Sequence, residues 1–170
     1  MLFRSGSGVT SDVFRVTSAR SPELQYAMKK IPLKGSRTLQ KFVAQEISIM
    51  KRLRHRHIVA LVDHFEGPKT VWAVIELVSG GDLSHYVLDN HGWSEAEAGR
   101  CLHQVASGLA YLHSQFVAHR DVKLPNLLRA DSTSSFVVKI ADLGASAEVR
   151  SLPYVDSSAS ELLPTFKAYA

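Results

Sequence analysis

Hydrophobic and polar positions in the first half of the chain form short runs bounded by turn residues. Residues 9–16 mix β-branched residues with serine and threonine, and residues 26–31 form a second mainly apolar run. Two further apolar runs, 58–65 and 70–78, are separated by a turn that contains Gly67. Runs of this length and composition are typical of β-strands. The first half is therefore predicted to form an antiparallel sheet.

Two other segments carry apolar residues at helical spacing. Between Thr38 and Arg54 they recur at mostly helical intervals, which predicts an amphipathic helix. A second helix is predicted from Ser94 to His113, because Ser94 and Glu97 match a capping box, in which each side chain bonds the other residue's backbone N–H. Its buried face is expected to consist of Ala98, Leu102, Val105, Leu109 and Leu112.

The remaining pattern marks a boundary and a short strand. Gly80 and Gly81 follow the last strand of the first half and predict a flexible joint between two lobes. Residues 136–141 read as another short strand. From Ser146 onward the chain is rich in serine and contains two prolines, which favours irregular structure.

Composition and charge narrow the function only slightly. A chain of 170 residues favours one domain or two small lobes. The formal net charge of +4 permits phosphate or nucleic-acid binding without demanding it. The densest basic run, residues 51–57, is either a solvated helix end or a nuclear-targeting or phosphate-binding patch. Nucleic-acid binding has little support, because no aromatic residues alternate with these basic ones.

Cysteine use and hydropathy give expectations about the compartment. Cys101 is the only cysteine, so an intramolecular disulfide is excluded and a reducing compartment is favoured. The first residues lack the apolar core of a signal peptide, and no apolar run has the length of a membrane span. We expect a cytoplasmic protein, with the nucleus as the alternative.

Three short patterns are candidates for phosphate and metal chemistry. Gly6, Ser7 and Gly8 form a glycine turn whose backbone N–H groups could approach a phosphate, although such turns are common. It is neither a Walker loop, since no Gly-Lys-Ser/Thr follows, nor a good dinucleotide fingerprint, since a strand and not a helix comes next.

Charged residues in apolar surroundings form the other two patterns. Lys29 lies in a predicted strand, where a buried ammonium needs a partner, and Glu46 on the first helix could supply it. Taken separately, each is also readable as a solvated surface charge. Asp142 follows an apolar strand and precedes Gly144, so it is either a turn-forming residue or an oxygen ligand of the kind that Mg²⁺ prefers.

The densest cluster of ionisable and amide groups lies within residues 117–128. There His119, Arg120, Asp121, Lys123 and Asn126 stand between two apolar ends, which favours a salt-bridge network or a reaction. The order of glycine loop, strand lysine, helix glutamate, Gly-Gly joint, His-Arg-Asp-x-Lys-x-x-Asn and Asp-x-Gly closely resembles the protein kinase family. The resemblance runs from residue 1 to about residue 146.

The resemblance implies a site for ATP. It assigns the phosphates to the loop Gly6, Ser7 and Gly8, and to Lys29, which Glu46 would hold in place. Val13 and Ala27 would cover the adenine on one side and Leu128 on the other. The hinge that meets the adenine edge would run from Glu76 to Val78, with Ile75 as the gatekeeper residue.

The resemblance also assigns the reacting groups. Asp121 would orient the substrate hydroxyl and accept its proton, and Lys123 would contact the γ-phosphate. Asn126 and Asp142 would hold Mg²⁺. Arg120 would be available to a phosphorylated activation loop. His119 would be a packing residue, stacked in a spine with Met50, Leu61 and Leu143.

The fold implied by the resemblance is α+β with two lobes. Residues 1–78 would form the N-lobe, an antiparallel sheet with one helix. Residues 79–146 would form an incomplete, mainly helical C-lobe, and 147–170 a divergent tail resembling an activation segment. The implied function is ATP- and Mg²⁺-dependent phosphorylation of protein substrates at serine or threonine, because Lys123 follows Asp121 at the spacing of the serine/threonine branch.

Departures from the family pattern open an alternative. Ser11 replaces a glycine and Leu143 a phenylalanine, and no Ala-Pro-Glu follows Asp-Leu-Gly. Helices that normally cover the C-lobe are not recognisable, so we expect residues 1–170 alone to show little phosphorylation. An exposed C-lobe surface would suit self-association or a regulatory partner. The alternative is a pseudokinase-like module that binds nucleotide or a partner without catalysis. The finer group, calcium/calmodulin-dependent-type or autophagy-initiating kinases, stays open.

Overall fold

The computed structural model describes residues 3–4, 12–130 and 136–149, which form a two-lobed α+β structure. The predicted glycine loop at Gly6, Ser7 and Gly8 lies outside the described residues. So do residues 9–11 of the first predicted strand and the tail from residue 150 onward.

The first lobe is built on a five-stranded sheet. Its strands are β1 (Phe3–Arg4), β2 (Asp12–Thr17), β3 (Gln25–Pro32), β4 (Leu61–Glu66) and β5 (Thr70–Glu76). They lie in the order β1-β2-β3-β5-β4, and every neighbouring pair is antiparallel. The predicted antiparallel sheet is thus confirmed. β4 begins three residues inside the predicted run 58–65 and ends one residue beyond it, and β5 ends two residues before the end of the run 70–78.

The strand register brings four predicted nucleotide contacts onto one face of the sheet. Val13 lies opposite Lys29, and Ala27 lies opposite Ile75 on the neighbouring strand. Because side chains alternate along a strand, Ala27 and Lys29 share a face. This places Val13, Ala27, Lys29 and Ile75 together.

The helix α1 (Arg37–Arg52) packs on the sheet. The Ser36 side chain accepts a hydrogen bond from Leu39 N at 3.2 Å and caps its first turn. Its buried face carries Glu46 in addition to apolar residues, among them Val43, Ile47 and Met50. These apolar residues join Ile31 and Ala73 of the sheet in one hydrophobic core. The predicted amphipathic helix is confirmed, and it carries Glu46 inward.

The second lobe begins with two helices, α2 (Leu83–Asp89) and α3 (Glu95–Ser114). α3 has the predicted capping box at Ser94 and Glu97. We did not predict α2. Asp82 caps it by accepting hydrogen bonds from the backbone N–H groups of Ser84 and His85. None of the described helices is long and apolar enough to cross a membrane.

The predicted buried face of α3 was wrong at Leu102, which is 67% exposed. The fully buried positions are instead Cys101, Val105, Gly108 and Leu112. Gly108 explains this rotation, since a Cβ there would lie 2.8 Å from Cδ1 of Ile140. The missing side chain lets α3 approach the strand that carries Ile140.

Two small antiparallel ribbons complete the second lobe. β6 (Val117–Ala118) pairs with β9 (Ala147–Glu148), and β7 (Leu127–Arg129) pairs with β8 (Val138–Ile140). The strand predicted at 136–141 is therefore confirmed in its central part. The crowded segment from His119 to Asn126 joins β6 to β7, and Asp142 follows β8, so both groups emerge from the same pair of ribbons.

Gly80 and Gly81 were predicted to form a flexible joint, but in the structure they make a close backbone contact. Gly80 N donates to Arg129 O at 2.9 Å, and Arg129 N donates to Gly81 O at 2.8 Å. A Cβ on Gly80 would lie 2.5 Å from Arg129 O, and Gly81 has φ +76°. Both glycines are needed for a close backbone contact, which fastens the connection to β7.

Candidate active site

Lys29 stands at the centre of an ion cluster that joins three elements. Its Nζ lies 3.0 Å from Oε1 of Glu46 and 3.0 Å from Oδ1 of Asp142. β3 supplies the lysine, α1 the glutamate, and the turn after β8 the aspartate. The predicted Lys29–Glu46 pair is therefore present, and Asp142 is brought to the same cation.

Burial and charge oppose each other within this cluster. Burial by itself would lower the pKa of Lys29, but the negative charges of Glu46 and Asp142 outweigh it and raise that pKa above its ordinary value. Burial would likewise raise the pKa of Asp142, whereas the charge and hydrogen bond of Lys29 lower it. Both groups are thus charged at neutral pH, which provides a fixed cation beside an anionic oxygen.

Asp142 is held in an unusual backbone conformation. Its φ of 59° lies in the left-handed region, which few residues other than glycine adopt. Its Oδ1 accepts a hydrogen bond from Gly144 N at 3.3 Å. This local bond supports the turn and aims the carboxylate at Lys29.

The segment between β6 and β7 is organised around a buried histidine. His119 is 2% exposed, and its Nε2 lies 3.0 Å from Ala141 O. Its Nδ1 accepts a hydrogen bond from Asp121 N at 3.2 Å. His119 thus connects the Asp121 backbone to the residue that precedes Asp142. Its burial agrees with the packing position that the resemblance implied.

Asp121, Lys123 and Asn126 form a second polar cluster. Lys123 Nζ lies 2.8 Å from Oδ2 of Asp121. Asn126 Nδ2 donates to the same Oδ2 at 3.0 Å and to Asp121 O at 2.9 Å. The hydrogen bond from Lys123 makes the largest contribution to lowering the pKa of Asp121, and that from Asn126 adds to it. The carboxylate is therefore ionised at neutral pH.

Asn126 and Asp142 fit the donor set expected for Mg²⁺. Ala141 N donates to Asn126 O at 2.8 Å, which places the amide residue next to the strand end that carries Asp142. Both side-chain bonds of Asn126 use Nδ2, so its Oδ1 faces the opposite side of the amide. Carboxylate and amide oxygens suit this hard cation. Within the described residues, no group of three or more His, Cys, Asp and Glu side chains could hold a metal.

The predicted base-binding residues lie at the end of β5 and on β7. Glu76 is the last residue of β5, Val78 follows in the connection to the second lobe, and Leu128 lies in β7. An isolated bridge pairs Leu128 with Asp82. A cavity of about 30 Å³ is lined by Lys29, Glu46 and Asp142 together with Ile75 and other apolar residues, and by none of Glu76, Val78 and Leu128. A larger one of about 320 Å³, between α1 and the β4–β5 turn, includes none of the predicted site residues.

Sequence reasoning missed one charged contact at this end of the site. Lys139 Nζ lies 2.9 Å from Oε1 of Glu76. The sequence does contain a signal for this contact, because Lys139 is the one charged residue between Val138 and Ile140 in an apolar strand. A buried ammonium in an apolar strand needs a partner, so the position of Lys139 predicts an ion pair just as that of Lys29 does.

Arg120 also has a defined contact. It adopts φ 65°, and its Nε donates to Ala145 O at 2.7 Å. The resemblance left this side chain available for a phosphorylated loop. In the structure it binds the backbone of the turn that follows Asp142.

Comparison with known proteins agrees with this arrangement. The family model described as "Protein kinase domain" matches residues 4–162, beyond the part in which we recognised motifs. Human calcium/calmodulin-dependent protein kinase type 1B is 36% identical over 143 residues, which cover 84% of this chain and 41% of that protein. Human calcium/calmodulin-dependent protein kinase type IV is 36% identical over 142 residues, covering 83% and 29%.

A third relative comes from an organism other than human. A probable myosin light chain kinase of Dictyostelium discoideum is 35% identical over 145 residues, or 85% of this chain and 41% of that protein. The chain thus spans less than half the length of the curated relatives it matches. With the family model covering nearly the whole sequence and the fold arranged as described, the chain belongs to the protein kinase domain family.

Proposed function

We propose that this protein binds ATP with Mg²⁺ and transfers the γ-phosphoryl group to serine and threonine hydroxyls of protein substrates. The observation that carries the proposal is Lys29, held 3.0 Å from both Glu46 and Asp142. Phosphoryl transfer needs little covalent chemistry from a protein and depends on accurately placed charge. A cation fixed by two elements of different lobes meets that requirement.

At the phosphate end, Lys29 would bind the α- and β-phosphates, with Glu46 preventing its withdrawal. The loop Gly6, Ser7 and Gly8 would cover the phosphates. When bound by Asn126 and Asp142, Mg²⁺ supplies charge neutralisation for the phosphate oxygens. Lys29 would exchange part of its contact with Asp142 for a contact with the nucleotide phosphates. Its ammonium group has three donors, so it can keep its bond to Glu46 while it does so.

At the base end, the adenine would lie between the first-lobe sheet and β7. Val13 and Ala27 would cover one face, since both share the sheet face of Lys29. Leu128 would cover the other. The backbone from Glu76 to Val78 would meet the edge of the base as the hinge. This division corresponds to an N-lobe at 1–78 and a C-lobe at 79–146, followed by an activation-segment-like tail at 147–170.

Asp121 would act on the substrate. Its carboxylate is ionised and partly exposed, so it can accept a hydrogen bond from an incoming hydroxyl. It would take the hydroxyl proton as the bond to the γ-phosphorus forms and the bond from that phosphorus to the bridging oxygen breaks, which releases ADP. Lys123 would then turn from Asp121 towards the γ-phosphate. Lys123 is 46% exposed, which leaves it free to reorient. The lysine two residues after the aspartate supports a serine/threonine specificity.

The proposal is tested by radiolabelled phosphoryl transfer from ATP to matched peptides containing serine, threonine or tyrosine, with this chain inside a complete kinase domain, because residues 1–170 alone are expected to show little phosphorylation. We expect label on serine and threonine, no label on tyrosine, and loss of transfer when EDTA removes Mg²⁺. A folded protein that binds ATP but labels no peptide would contradict transfer and support the non-catalytic, nucleotide-binding alternative. Label on tyrosine alone would contradict the proposed specificity.

A further inference from the structure

The carboxylate of Glu76 ties the end of β5 to two other parts of the fold. Its Oε1 accepts a hydrogen bond from Ala60 N at 2.9 Å and lies 2.9 Å from Lys139 Nζ. Its own backbone N donates to Ala60 O at 3.0 Å. Glu76 is therefore fixed through both its backbone and its side chain, at the point where the proposed hinge begins.

Lys139 belongs to the opposite lobe. It is the middle residue of β8, between Val138 and Ile140, which are 1% and 0% exposed. In the β7–β8 ribbon it lies opposite Leu128. The Lys139 side chain is only 17% exposed, so its charge is largely withdrawn from water and depends on Glu76. One side chain thus links the strand pair beneath the proposed adenine site to the hinge beside it.

We propose that Lys139 is a positioning residue for the adenine end of the nucleotide site. Through its contact with Glu76, Lys139 fixes the position of the hinge relative to Leu128. The hinge and Leu128 are the two protein surfaces that would contact the base. This inference rests on the proposed function. It separates the site into two parts, because Lys139 acts at the base whereas Lys29 and Asp142 act at the phosphates.

The geometry favours positioning over a purely structural role. A structural ion pair could join any two residues of the lobes, but this one ends on the residue whose backbone starts the hinge. The largely buried pair also has few solvent molecules to screen it, so its loss should be transmitted to the backbone. The backbone bond from Glu76 N to Ala60 O would remain, which leaves β5 paired while the hinge gains freedom.

The test compares dissociation constants for adenosine and for ATP–Mg²⁺ in Lys139→Met, Lys139→Arg and the wild type, by calorimetry on the 170-residue chain. We expect Lys139→Met to weaken both ligands by the same factor, about tenfold, which lies within the range for contacting pairs. Lys139→Arg keeps the charge and should restore binding to within about threefold. Lys51→Met, on the exposed side of α1, makes the same charge change and should bind like the wild type.

Three further variants make the result independent of folding defects. Glu76→Gln keeps an acceptor for Ala60 N and should weaken adenosine as Lys139→Met does. The double variant should bind no worse than either single one, because both remove the same contact. Lys29→Met provides the opposite signature, since it should weaken ATP–Mg²⁺ and leave adenosine unchanged.

Distinct results overturn the inference and the proposed function. If the wild type binds ATP–Mg²⁺ and Lys139→Met binds adenosine equally well, the positioning role is wrong and the nucleotide site stands. An effect of Lys139→Met on ATP–Mg²⁺ but not on adenosine would also refute it, as would a Lys139→Arg variant as weak as Lys139→Met. If the folded wild type binds neither ligand, the proposed function fails and the inference fails with it.

Discussion

Two clusters in this molecule pair a lysine with aspartate, yet they differ in how they are built. Lys29 contacts Asp142, 113 residues away in sequence, and also Glu46 on a third element. Lys123 contacts Asp121 two residues away within one connection. The Lys29 side chain is 18% exposed, against 46% for Lys123. One cluster is assembled by the fold, and the other by a short loop.

This difference in burial indicates that the two clusters have different roles. A largely buried cluster keeps its charges fixed, because each ion depends on its partners for the solvation that water no longer provides. An exposed cluster can exchange its contacts for those of a ligand at little cost. We therefore expect the Lys29 cluster to govern nucleotide binding and stability, and the Lys123–Asp121 pair to govern transfer.

The largest expected effect is on turnover and comes from the loop cluster. In the complete kinase domain, Asp121→Asn removes the proton acceptor and should lower the rate of peptide phosphorylation by about 10²- to 10⁴-fold. ATP affinity should change little, because Asp121 would contact the substrate hydroxyl and not the nucleotide. Initial rates and a parallel binding titration measure the two quantities. Equal losses in binding and turnover would make Asp121 a structural residue and erase the contrast between the clusters.

The next effect concerns stability and the fold-built cluster. Lys29→Met leaves the buried Glu46 carboxylate without a cation and should lower the free energy of unfolding by about 2 kcal/mol, less than for a fully buried pair because the cluster is partly open to solvent. Urea denaturation measures it. Lys30→Met is a matched control, since Lys30 points to the other sheet face and lies over the Trp72 ring. If both variants lose equal stability, the cluster has no special role in the fold.

Acid should weaken the same cluster in a defined pH range. The pKa of Asp142 is lower in the folded protein than its ordinary 3.8, so its contribution to stability is present above that value and is lost as the pH falls through the folded pKa. The stability difference between the wild type and Asp142→Asn should stay constant from about pH 8 to pH 5 and narrow below about pH 4. Denaturation curves at several pH values measure it. If the stability difference between the two proteins instead closes between pH 8 and pH 6, the titrating group would be a histidine and not Asp142.

The smallest effect is expected at the exposed lysine. Lys123→Met breaks the contact with Asp121, but exposed ion pairs contribute little to stability. Its urea midpoint should be indistinguishable from that of the wild type, whereas its rate of phosphoryl transfer should fall. A clear loss of stability would show that the loop cluster is as structural as the Lys29 cluster.

Local signals explain which parts of the fold were predictable from sequence. The capping box at Ser94 and Glu97 and the apolar period of α1 depend on neighbours in the chain, and both were confirmed. Leu102 was misplaced because the orientation of α3 is set by Gly108, whose close contact with Ile140 is non-local. α2 was missed because its seven residues give too short a period, although Asp82 offered a capping signal.

In the site, too, local contacts could be predicted from the sequence and non-local ones could not. The need of Lys29 for a partner was readable from its strand, and Glu46 was correctly chosen as the residue that supplies it. That Asp142 joins the same ammonium depends on how β8 packs against the first lobe, which no local pattern encodes. Lys139 gave the same signal as Lys29 and was overlooked, since Glu76 had been considered only for its backbone.

The central claim is that Lys29, held by Glu46 and Asp142, forms the phosphate end of an ATP site. The most direct measurement is thermal unfolding of the 170-residue chain with and without ATP–Mg²⁺ at about a hundred times its dissociation constant. We predict a stabilisation of about 2.7 kcal/mol in the wild type, retained in Lys30→Met and abolished in Lys29→Met. A folded wild type whose melting temperature does not respond, or a Lys29→Met variant that responds equally, would contradict the account.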